Sequence, residues 1–369
     1  MASEHLKIGF VRRGYSSSGG AEAYLKRLAA GLTGAGHAAH LFTTSEWPEE
    51  EWRYGPLTRL AGGSPRRFAD ALERHDTDAE CDVLFSFERV WNCDILRAGD
   101  GVHRAWLARR SAKDSAIKKL GVALNRKHRS ILRLERSLFG SRCARRVVAN
   151  SQMVKNEIIE FYGYPAERID VVYNGVPARA FRVSKSERAD GRAALGLQPH
   201  DIAVLFVGSG WERKGLRFAI KAMAAAAIPN MQLIVAGRGD PAACHAPNVR
   251  FLGAVADPRA LYGAADIFLL PTLYDPFSNA CLEAAAAGLP VITTSANGFS
   301  EIIEDGIHGS VVTDPSDIDS LSAALRHWAQ PEQRESARPS LQHLAGRFDL
   351  PRNVEQTHAI LLKTRSSAR

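Results

Sequence analysis

The stretch IAVLFVGSGWERKGLRFAIKAM, residues 202–223, contains the structural unit from which this chain is built. Its first six residues are all apolar, which is typical of a strand buried in a parallel sheet. Glycines at 208 and 210 mark a turn, and the apolar residues beyond them recur at helical spacing. The stretch is therefore predicted to be a buried strand, a tight turn and a helix.

The same unit recurs along the whole chain. Strands are predicted at 6–11, 38–43, 82–87 and 145–149, and again at 202–207, 231–236, 249–252, 266–270, 290–293 and 310–312. Repeated strand, helix, strand units form parallel sheets covered by helices on both faces. The pattern restarts near 173–177, and 369 residues with 45% apolar content are enough for two cores. We therefore predict the α/β fold class with two doubly wound domains, whose ligands bind just beyond the carboxyl ends of the strands.

Composition also bears on the compartment. The longest apolar runs fall far short of the 18 residues that a membrane span needs, and the opening MASEHLKIGF lacks the apolar centre of a signal peptide. The five cysteines are scattered and form no CxxC pair. A cytoplasmic protein with reduced cysteines is expected.

Positive charge is concentrated in one segment. The net charge is +8, yet residues 104–146 alone carry fourteen Lys and Arg against two acidic residues, so the rest of the chain is net acidic. Apolar residues in this segment recur at steps of three and four, which predicts amphipathic helices with basic outer faces. Such helices suit an anionic membrane surface, whereas a merely solvated face is the alternative. Nucleic acid is disfavoured, because no recognisable nucleic-acid module accompanies the charge.

The most specific motif is DPFSNACLEAAAAGLPVI, residues 275–292. Ser278 is a predicted N-cap, and Gly288 ends the helix ahead of a strand. Asp275 then lies in the loop before the helix and Glu283 about one turn inside it. The backbone N–H groups near Phe277, Ser278 and Asn279 are predicted to donate to phosphate or sugar oxygens, while the two carboxylates accept from hydroxyls.

Two further turns suggest anion sites. Arg213 and Lys214 stand at the entrance to a helix, where cations oppose the helix dipole unless an anion lies between them; simple surface exposure is the alternative. Gly19 and Gly20 open the first helix, where N–H groups favour an anion and glycine permits close approach, although a plain turn explains them equally well.

Three other patterns in the sequence are less specific. The AGRGDPA stretch at 236–242 imitates a dinucleotide fingerprint, but Pro241 leaves little room for the required helix, so a structural turn is favoured. The acidic pair Asp317 and Asp319 is interpreted as helix capping, and no metal site is predicted. His103 beside Asp100 follows a strand-like segment, and it is either a structural histidine or a catalytic one.

Taken in order, GGAE at 19–22, NGV at 174–176, GSGWERKG at 208–215 and the 275–292 motif resemble the retaining glycosyltransferases of family 4. The GSGWERKG loop, AGDGVH at 98–103 and the basic segment resemble the lipopolysaccharide core glucosyltransferases within that family. The resemblance implies the GT-B fold, in which two Rossmann-like domains face each other across a cleft. It implies an acceptor-side domain at 1–173, a nucleotide-sugar domain at 174–348, and a helix at 349–369 that crosses back to the first domain.

The same resemblance implies roles for the residues. Arg213 and Lys214 would neutralise the diphosphate, and Glu283 would bind the ribose hydroxyls. The transferred sugar would be held by Asp275 and by the backbone of Phe277, Ser278 and Asn279. Gly19 and Gly20 would approach the phosphate, and Asp100 and His103 would face the reacting carbon and the acceptor. The chain departs from many members at Asp275, where they have Glu, and at Ser209, where they have Arg.

The expected function is a retaining, metal-independent hexosyltransferase without a cofactor. Its donor would be UDP-glucose or another UDP-hexose, and its acceptor an envelope glycan or glycolipid such as the lipopolysaccharide inner core. It is expected in the cytoplasm, peripheral on the inner face of the cytoplasmic membrane through 104–146, and not bound to nucleic acid. A nucleotide-sugar epimerase, a glycan phosphorylase on a GT-B scaffold and a basic nucleic-acid-binding protein remain alternatives.

Overall fold

Two parallel sheets organise the chain, each within its own compact unit. The computed structural model describes residues 5–16, 20–111, 125–244 and 246–366. Unit 1 comprises Met1–Tyr173 together with Pro351–Arg369, and unit 2 comprises Asn174–Leu350. Every strand pairing within both sheets is parallel, which confirms the predicted α/β class.

Unit 1 contains a seven-stranded sheet in the order β3-β2-β1-β4-β5-β6-β7. Its strands are β1 Lys7–Val11, β2 Ala38–Thr43, β3 Leu57–Arg59, β4 Val83–Ser86, β5 Cys93–Ala98, β6 Ala144–Ala149 and β7 Ile169–Val171. Its helices are α1 Gly20–Gly34, α2 Pro65–Glu73, α3 His103–Ser111, α4 Arg126–Glu135 and α5 Gln152–Tyr162. The short edge strands β3 and β7 were missed from sequence, because three residues are too few to show a period, and β5 was noted only as a strand-like segment ahead of His103.

Unit 2 contains a six-stranded sheet in the order β10-β9-β8-β11-β12-β13. Its strands are β8 Ile202–Val207, β9 Met231–Ala236, β10 Val249–Gly253, β11 Ile267–Leu270, β12 Val291–Thr294 and β13 Gly309–Val312. Its helices are α6 Lys185–Ala194, α7 Trp211–Lys214, α8 Leu216–Ala226, α9 Arg259–Ala264, α10 Asn279–Ala287, α11 Ile318–Trp328 and α12 Pro331–Gly346. All six strands were predicted within two residues at each end.

The last helix, α13 Leu350–Ser366, is part of unit 1 for nearly its whole length. Ile360 and Leu361 belong to the same buried cluster as Phe10 of β1. Gly31 of α1 lies so close to Val354 that a Cβ on the glycine would come within 2.6 Å of a valine methyl group. Glycine at this position therefore lets two helices approach closely.

Arginine side chains donate to carbonyl groups at the ends of two helices of unit 2. Arg188 and Arg192 donate to carbonyl groups at the end of α9, and both also pair with the buried Asp266. Arg334 donates to the carbonyl of Trp328 at the end of α11. Guanidinium groups placed there satisfy carbonyls that have no partner within their helix and oppose the negative end of the helix dipole.

Within the part of the chain that the structure describes, no helix is both long and apolar enough to cross a membrane.

Candidate functional site

The sheet of unit 2 reverses its direction of strand addition at β8. The chain runs outward from β8 through β9 to β10 and then returns to the opposite side of β8 as β11. Because β8 and β11 are neighbouring parallel strands, the loops that follow them begin side by side at the same edge of the sheet. Such a switch point is where open parallel sheets bind ligands. The two predicted motifs, 208–215 and 275–292, both begin there.

An ion pair joins these two loops. The Lys214 ammonium group donates to Oδ2 of Asp275, and the two side chains are only 13% and 6% exposed. The Asp275 backbone is fixed by its N–H, which donates to the carbonyl of Ala296 at 2.9 Å, and by its carbonyl, which accepts from the N–H of Gly298 at 2.9 Å. A cation is thus held beside the loop that leads into α10.

Arg213 and Lys214 stand at a helix entrance, as the sequence predicted, because Gly215 directly after them is the N-cap of α8. They form the end of α7, a four-residue helix, and Gly215 separates them from α8. At this entrance the charge of Lys214 is balanced by the carboxylate of Asp275, with which it forms an ion pair. The Arg213 guanidinium group donates to the carbonyl of Tyr274 at 3.0 Å, next to Asp275.

The start of α10 is ordered by side-chain caps. Ser278 is the N-cap as predicted, and its hydroxyl accepts from the N–H of Cys281 at 3.4 Å. The N–H of Ser278 itself donates to Oδ1 of the buried Asn297 at 3.2 Å, so it is not available to a ligand as the sequence suggested. The N–H groups of Asn279 and Ala280 have no acceptor among the described residues, as is usual in the first turn of a helix.

Two more predicted residues lie at this helix start. Phe277 is buried, and its ring packs edge-on against Phe299 with centroids 5.9 Å apart, so its side chain belongs to the core. Asn279 is half-buried, and its Oδ1 accepts from the amide of Asn174 at 2.7 Å. The NGV segment at 174–176 is thereby brought to the start of α10.

Glu283 lies on α10, one turn beyond these groups. Its Oε2 accepts from the hydroxyl of Tyr262 on α9 at 2.9 Å. Burial, followed by the nearby carboxylate, raises the pKa of Tyr262 well above its ordinary value, which keeps the hydroxyl protonated. Unit 2 therefore brings Arg213 and Lys214 into contact with the 274–275 loop, and Asn279 and Glu283 follow on α10.

The dinucleotide-like glycines serve packing in this structure. Gly239 lies against the indole ring of Trp211, where a Cβ would come within 2.2 Å of a ring atom. The residues that follow form a short 3-10 turn, Pro241–Cys244, instead of the long helix that a dinucleotide fingerprint requires. Asp317 caps α11 by accepting from the N–H of Ser320 at 3.0 Å, as predicted.

The sheet of unit 1 has its own switch point, between β1 and β4. Arg12 follows β1, and its guanidinium group pairs with Glu22 at 3.0 Å and with Asp100 at 3.5 Å. It also donates to the carbonyl of Phe87, directly beyond β4, at 3.2 Å. Burial alone would lower the pKa of Arg12, but the carboxylates of Asp100, Glu88 and Glu22 raise it above its ordinary value. Asp100 itself is 51% exposed.

Next to Asp100, the start of α3 is held by Glu135. This carboxylate is fully buried and accepts from the N–H of His103 at 2.5 Å and from Nε of Arg89 at 2.9 Å. It also accepts from the hydroxyl of Tyr162 at 2.9 Å. Four donors, including the N–H of Arg104 at 3.2 Å, thus converge on one carboxylate at the positive end of α3.

His103 is held as a neutral ring. Its Nε2 lies 2.9 Å from Nδ1 of His128 on α4, and burial together with Arg89 lowers the pKa of His103 to about 3. At neutral pH the ring is therefore a weak base that carries no charge. Of the predicted glycines, Gly20 begins α1, whereas Gly19 lies outside the described residues.

The basic segment 104–146 is only partly described, since 112–124 fall outside the described residues. Its described parts include α3 and α4, and most of their Lys and Arg side chains are exposed, whereas Leu134 and Leu138 are buried. This agrees with the predicted amphipathic pattern. Among the residues that the structure describes, no group of three or more His, Cys, Asp or Glu side chains is arranged to hold a metal ion.

Several site residues were not singled out from sequence. They are Arg12, Arg89, Glu135, Tyr262 and Asn297. Arg12 had a usable signal, because it directly follows a predicted strand. Tyr262 had none, since it sits in the apolar run LYGAADIFLL at 261–270 and its partner is 21 positions away.

Comparisons with known proteins agree with this architecture. Residues 18–180 match a family model described as Glycosyltransferase Family 4, and residues 201–330 match one described as glycosyl transferases group 1. A glycosyltransferase of Methanocaldococcus jannaschii is 33% identical over 190 residues, 48% of each chain. The D-inositol 3-phosphate glycosyltransferase of Mycobacterium tuberculosis is 30% identical over 221 residues, 55% of this chain and 45% of that one. The chain thus matches about half the length of these relatives.

Solved structures extend the similarity to almost the whole chain. WaaG, a glycosyltransferase involved in lipopolysaccharide biosynthesis, has a TM-score of 0.82 at 23% identity, covering 96% of this chain and 99% of its own. HepE of Anabaena, solved in complex with UDP and glucose, has a TM-score of 0.74 at 20% identity, covering 97% of this chain and 100% of its own. These likenesses confirm the predicted GT-B fold of two Rossmann-like domains.

Proposed function

Because the chain belongs to the glycosyltransferases of family 4, we propose that it transfers a hexose with retention from a UDP-sugar to an envelope glycan or glycolipid. UDP-glucose is the favoured donor, and the lipopolysaccharide inner core is the favoured acceptor. HepE, which has the same fold, was solved with UDP and glucose, and WaaG takes part in lipopolysaccharide biosynthesis. These two proteins support the choice of donor and acceptor.

One observation carries the proposed donor site: Lys214 lies against the Asp275 loop at the switch point of the unit 2 sheet. In the proposal, Lys214 and Arg213 neutralise the diphosphate, the first turn of α10 donates to its oxygens, and Glu283 binds the ribose hydroxyls. Asp275 and the backbone N–H of Asn279 hold the transferred hexose. The site then combines a cation and helix N–H groups for the diphosphate with a carboxylate for the ribose diol.

The chemistry follows from where charge develops. Departure of the diphosphate builds negative charge on its oxygens and positive charge at the anomeric carbon. Lys214, Arg213 and the amides of α10 are already fixed in place, so they stabilise the leaving group without reorganising. We propose front-face transfer, in which the departing phosphate accepts the proton of the acceptor hydroxyl.

The acceptor is assigned to the switch point of unit 1. Asp100 is half exposed beside two guanidinium groups, those of Arg12 at 3.5 Å and Arg89 at 4.0 Å. Its carboxylate is suited to accept from a sugar hydroxyl. Because His103 is a weak neutral base, its proposed role is to orient the acceptor and not to remove a proton.

The basic segment is proposed to bind an anionic membrane surface, which would place the enzyme on the inner face of the cytoplasmic membrane. On α4 and just beyond it, Arg126, Lys127, Arg129, Arg133 and Arg136 are all exposed. Each such side chain near an anionic surface contributes on the order of 1 kcal/mol. Reversing the charge of these five is expected to abolish cosedimentation with vesicles containing anionic lipid. Unchanged cosedimentation would refute this part of the proposal.

The donor assignment is tested with purified protein, a panel of UDP-, GDP- and ADP-hexoses, and a glycolipid acceptor. Lys214→Ala and Glu283→Ala are each expected to reduce transfer at least a hundredfold while the fold is retained. Lys221→Ala, which removes an exposed lysine from α8, is the matched control. Near-normal turnover in both site variants would overturn the assignment.

The same assay separates the alternatives. Conversion of the sugar nucleotide without acceptor would identify an epimerase, and a requirement for free phosphate would identify a phosphorylase. Binding that falls steeply with salt and ignores UDP would indicate a nucleic-acid-binding protein.

A further inference from the structure

The carboxylate of Glu283 is held from a neighbouring helix. Tyr262 on α9 donates its hydroxyl to Oε2 of Glu283 at 2.9 Å. The tyrosine is fully buried, whereas the glutamate is half-buried on α10. The hydrogen bond therefore runs from a rigid core side chain to a carboxylate at the edge of the proposed donor site.

The ring of Tyr262 packs against two phenylalanine rings. The ring of Phe181 packs edge-on against it with centroids 5.5 Å apart, and the centroid of the Phe268 ring, on β11, lies 5.9 Å from that of Tyr262. A glutamate has three side-chain torsions, so a fixed donor at one oxygen selects a small set of its rotamers. The hydroxyl remains a proton donor at neutral pH, because burial and Glu283 both raise the pKa of Tyr262.

We propose that Tyr262 is a positioning residue that determines selectivity for ribose in the donor nucleotide. By fixing the Glu283 carboxylate, it holds the oxygens where they accept from the two vicinal hydroxyls of a ribose. A carboxylate that is free to rotate would bind a single hydroxyl almost as well as a pair. This inference rests on the proposed function, in which Glu283 binds the ribose.

The experiment measures dissociation constants by isothermal titration calorimetry. The probes are UDP, GDP and ADP, each with its 2′-deoxy counterpart, because the ribose is common to all three. The wild-type protein is expected to bind the ribonucleotide about tenfold or more tightly than the deoxynucleotide. In Tyr262→Phe, UDP is expected to bind about tenfold more weakly, and the preference for ribose falls to about twofold.

Two further variants separate positioning from structure. Tyr164→Phe removes an equally buried hydroxyl, which donates to the carbonyl of Ala144 in unit 1 at 2.7 Å, and it is expected to leave the ribose preference unchanged. The double variant Tyr262→Phe/Glu283→Ala is expected to bind UDP no more weakly than Glu283→Ala alone. A general loss of structure would instead add to the effect of removing Glu283.

The outcomes are distinct. A wild-type protein that binds none of the nucleotides overturns the proposed function and this inference together. Nucleotide binding with the same ribose preference in Tyr262→Phe as in the wild type overturns the inference alone, as does a Tyr262→Phe effect that persists in full without Glu283. Loss of the preference in Tyr262→Phe but not in Tyr164→Phe supports the assignment.

Discussion

Replacing Lys214 by methionine should destabilise unit 2 as well as inactivate the protein. The methionine keeps most of the aliphatic stem and removes the charge, so the Asp275 carboxylate loses its cation while only 6% exposed. At an effective dielectric constant of about 20, two unit charges about 4 Å apart attract each other by roughly 4 kcal/mol. Breaking a buried pair by removing one partner costs about 3–5 kcal/mol. We expect about 3 kcal/mol here, because the 13% exposure of Lys214 leaves room for water to solvate the carboxylate in part.

Differential scanning calorimetry of the full chain measures this loss. For a unit of 150–250 residues, each kcal/mol shifts the melting temperature by about 2–4 °C, so the transition of unit 2 should fall by about 6–12 °C. The double variant Lys214→Met/Asp275→Asn should regain more than half of the loss, since a neutral amide needs no cation. It should remain inactive, because the diphosphate still lacks its lysine.

Lys221→Met is the control for replacing a lysine with methionine on an exposed helical surface. A melting temperature for Lys214→Met within about 2 °C of the wild type would show that the two charges are not coupled in solution. A double variant no more stable than Lys214→Met would show that the loss comes from the lysine stem and not from the unpaired carboxylate.

Two predictions concern unit 1. Because the pKa of His103 is lowered to about 3, its ring should stay neutral from pH 8 to pH 5 in an NMR titration. The free energy of unfolding should fall as pH drops below about 6.5, because there the unfolded chain takes up the proton before the folded chain does. An NMR titration midpoint near 6.5 for His103 would contradict this prediction. Glu135→Gln should destabilise unit 1 by about 3 kcal/mol in urea unfolding, because Arg89 loses its buried counter-ion. The control Glu160→Gln, at an exposed position, should change the free energy of unfolding by less than about 0.5 kcal/mol. Equal stability of the two variants would contradict the assigned network.

Local hydrogen bonding explains why so much of the α10 region could be predicted. Ser278 caps a backbone N–H three residues away, and Gly288 ends the helix in a left-handed conformation with a φ of 79°. Both interactions lie within a few residues of sequence, so residue type and spacing are sufficient to indicate them. The buried strands are similar, because a run of apolar residues between turn signals has few other solutions.

Interactions that depend on strand order could not be read in the same way. The sequence places Arg213 and Lys214 after one strand and Asp275 after another, yet the Lys214–Asp275 pair spans 61 residues. The availability of the Ser278 N–H was predicted wrongly, because its acceptor, Asn297, lies 19 residues further along and beyond the next strand. Sequence periodicity predicts which face of its own helix or strand a residue lies on. It does not indicate which loop lies beside that residue in the folded chain.

Residue types and their spacing were enough to predict the α/β class, most of the strands, the capping of α10 and α11, and most of the residues that follow a strand at the ligand-binding edge. The tertiary structure decided their partners: Tyr262 for Glu283, Asp275 for Lys214, and Arg12 for Asp100 across 88 residues. The two kinds of interaction differ in the separation over which they act. Backbone propensity and capping act over a few residues, whereas charge pairing and burial act over a few ångströms, between segments that only the completed sheets bring together.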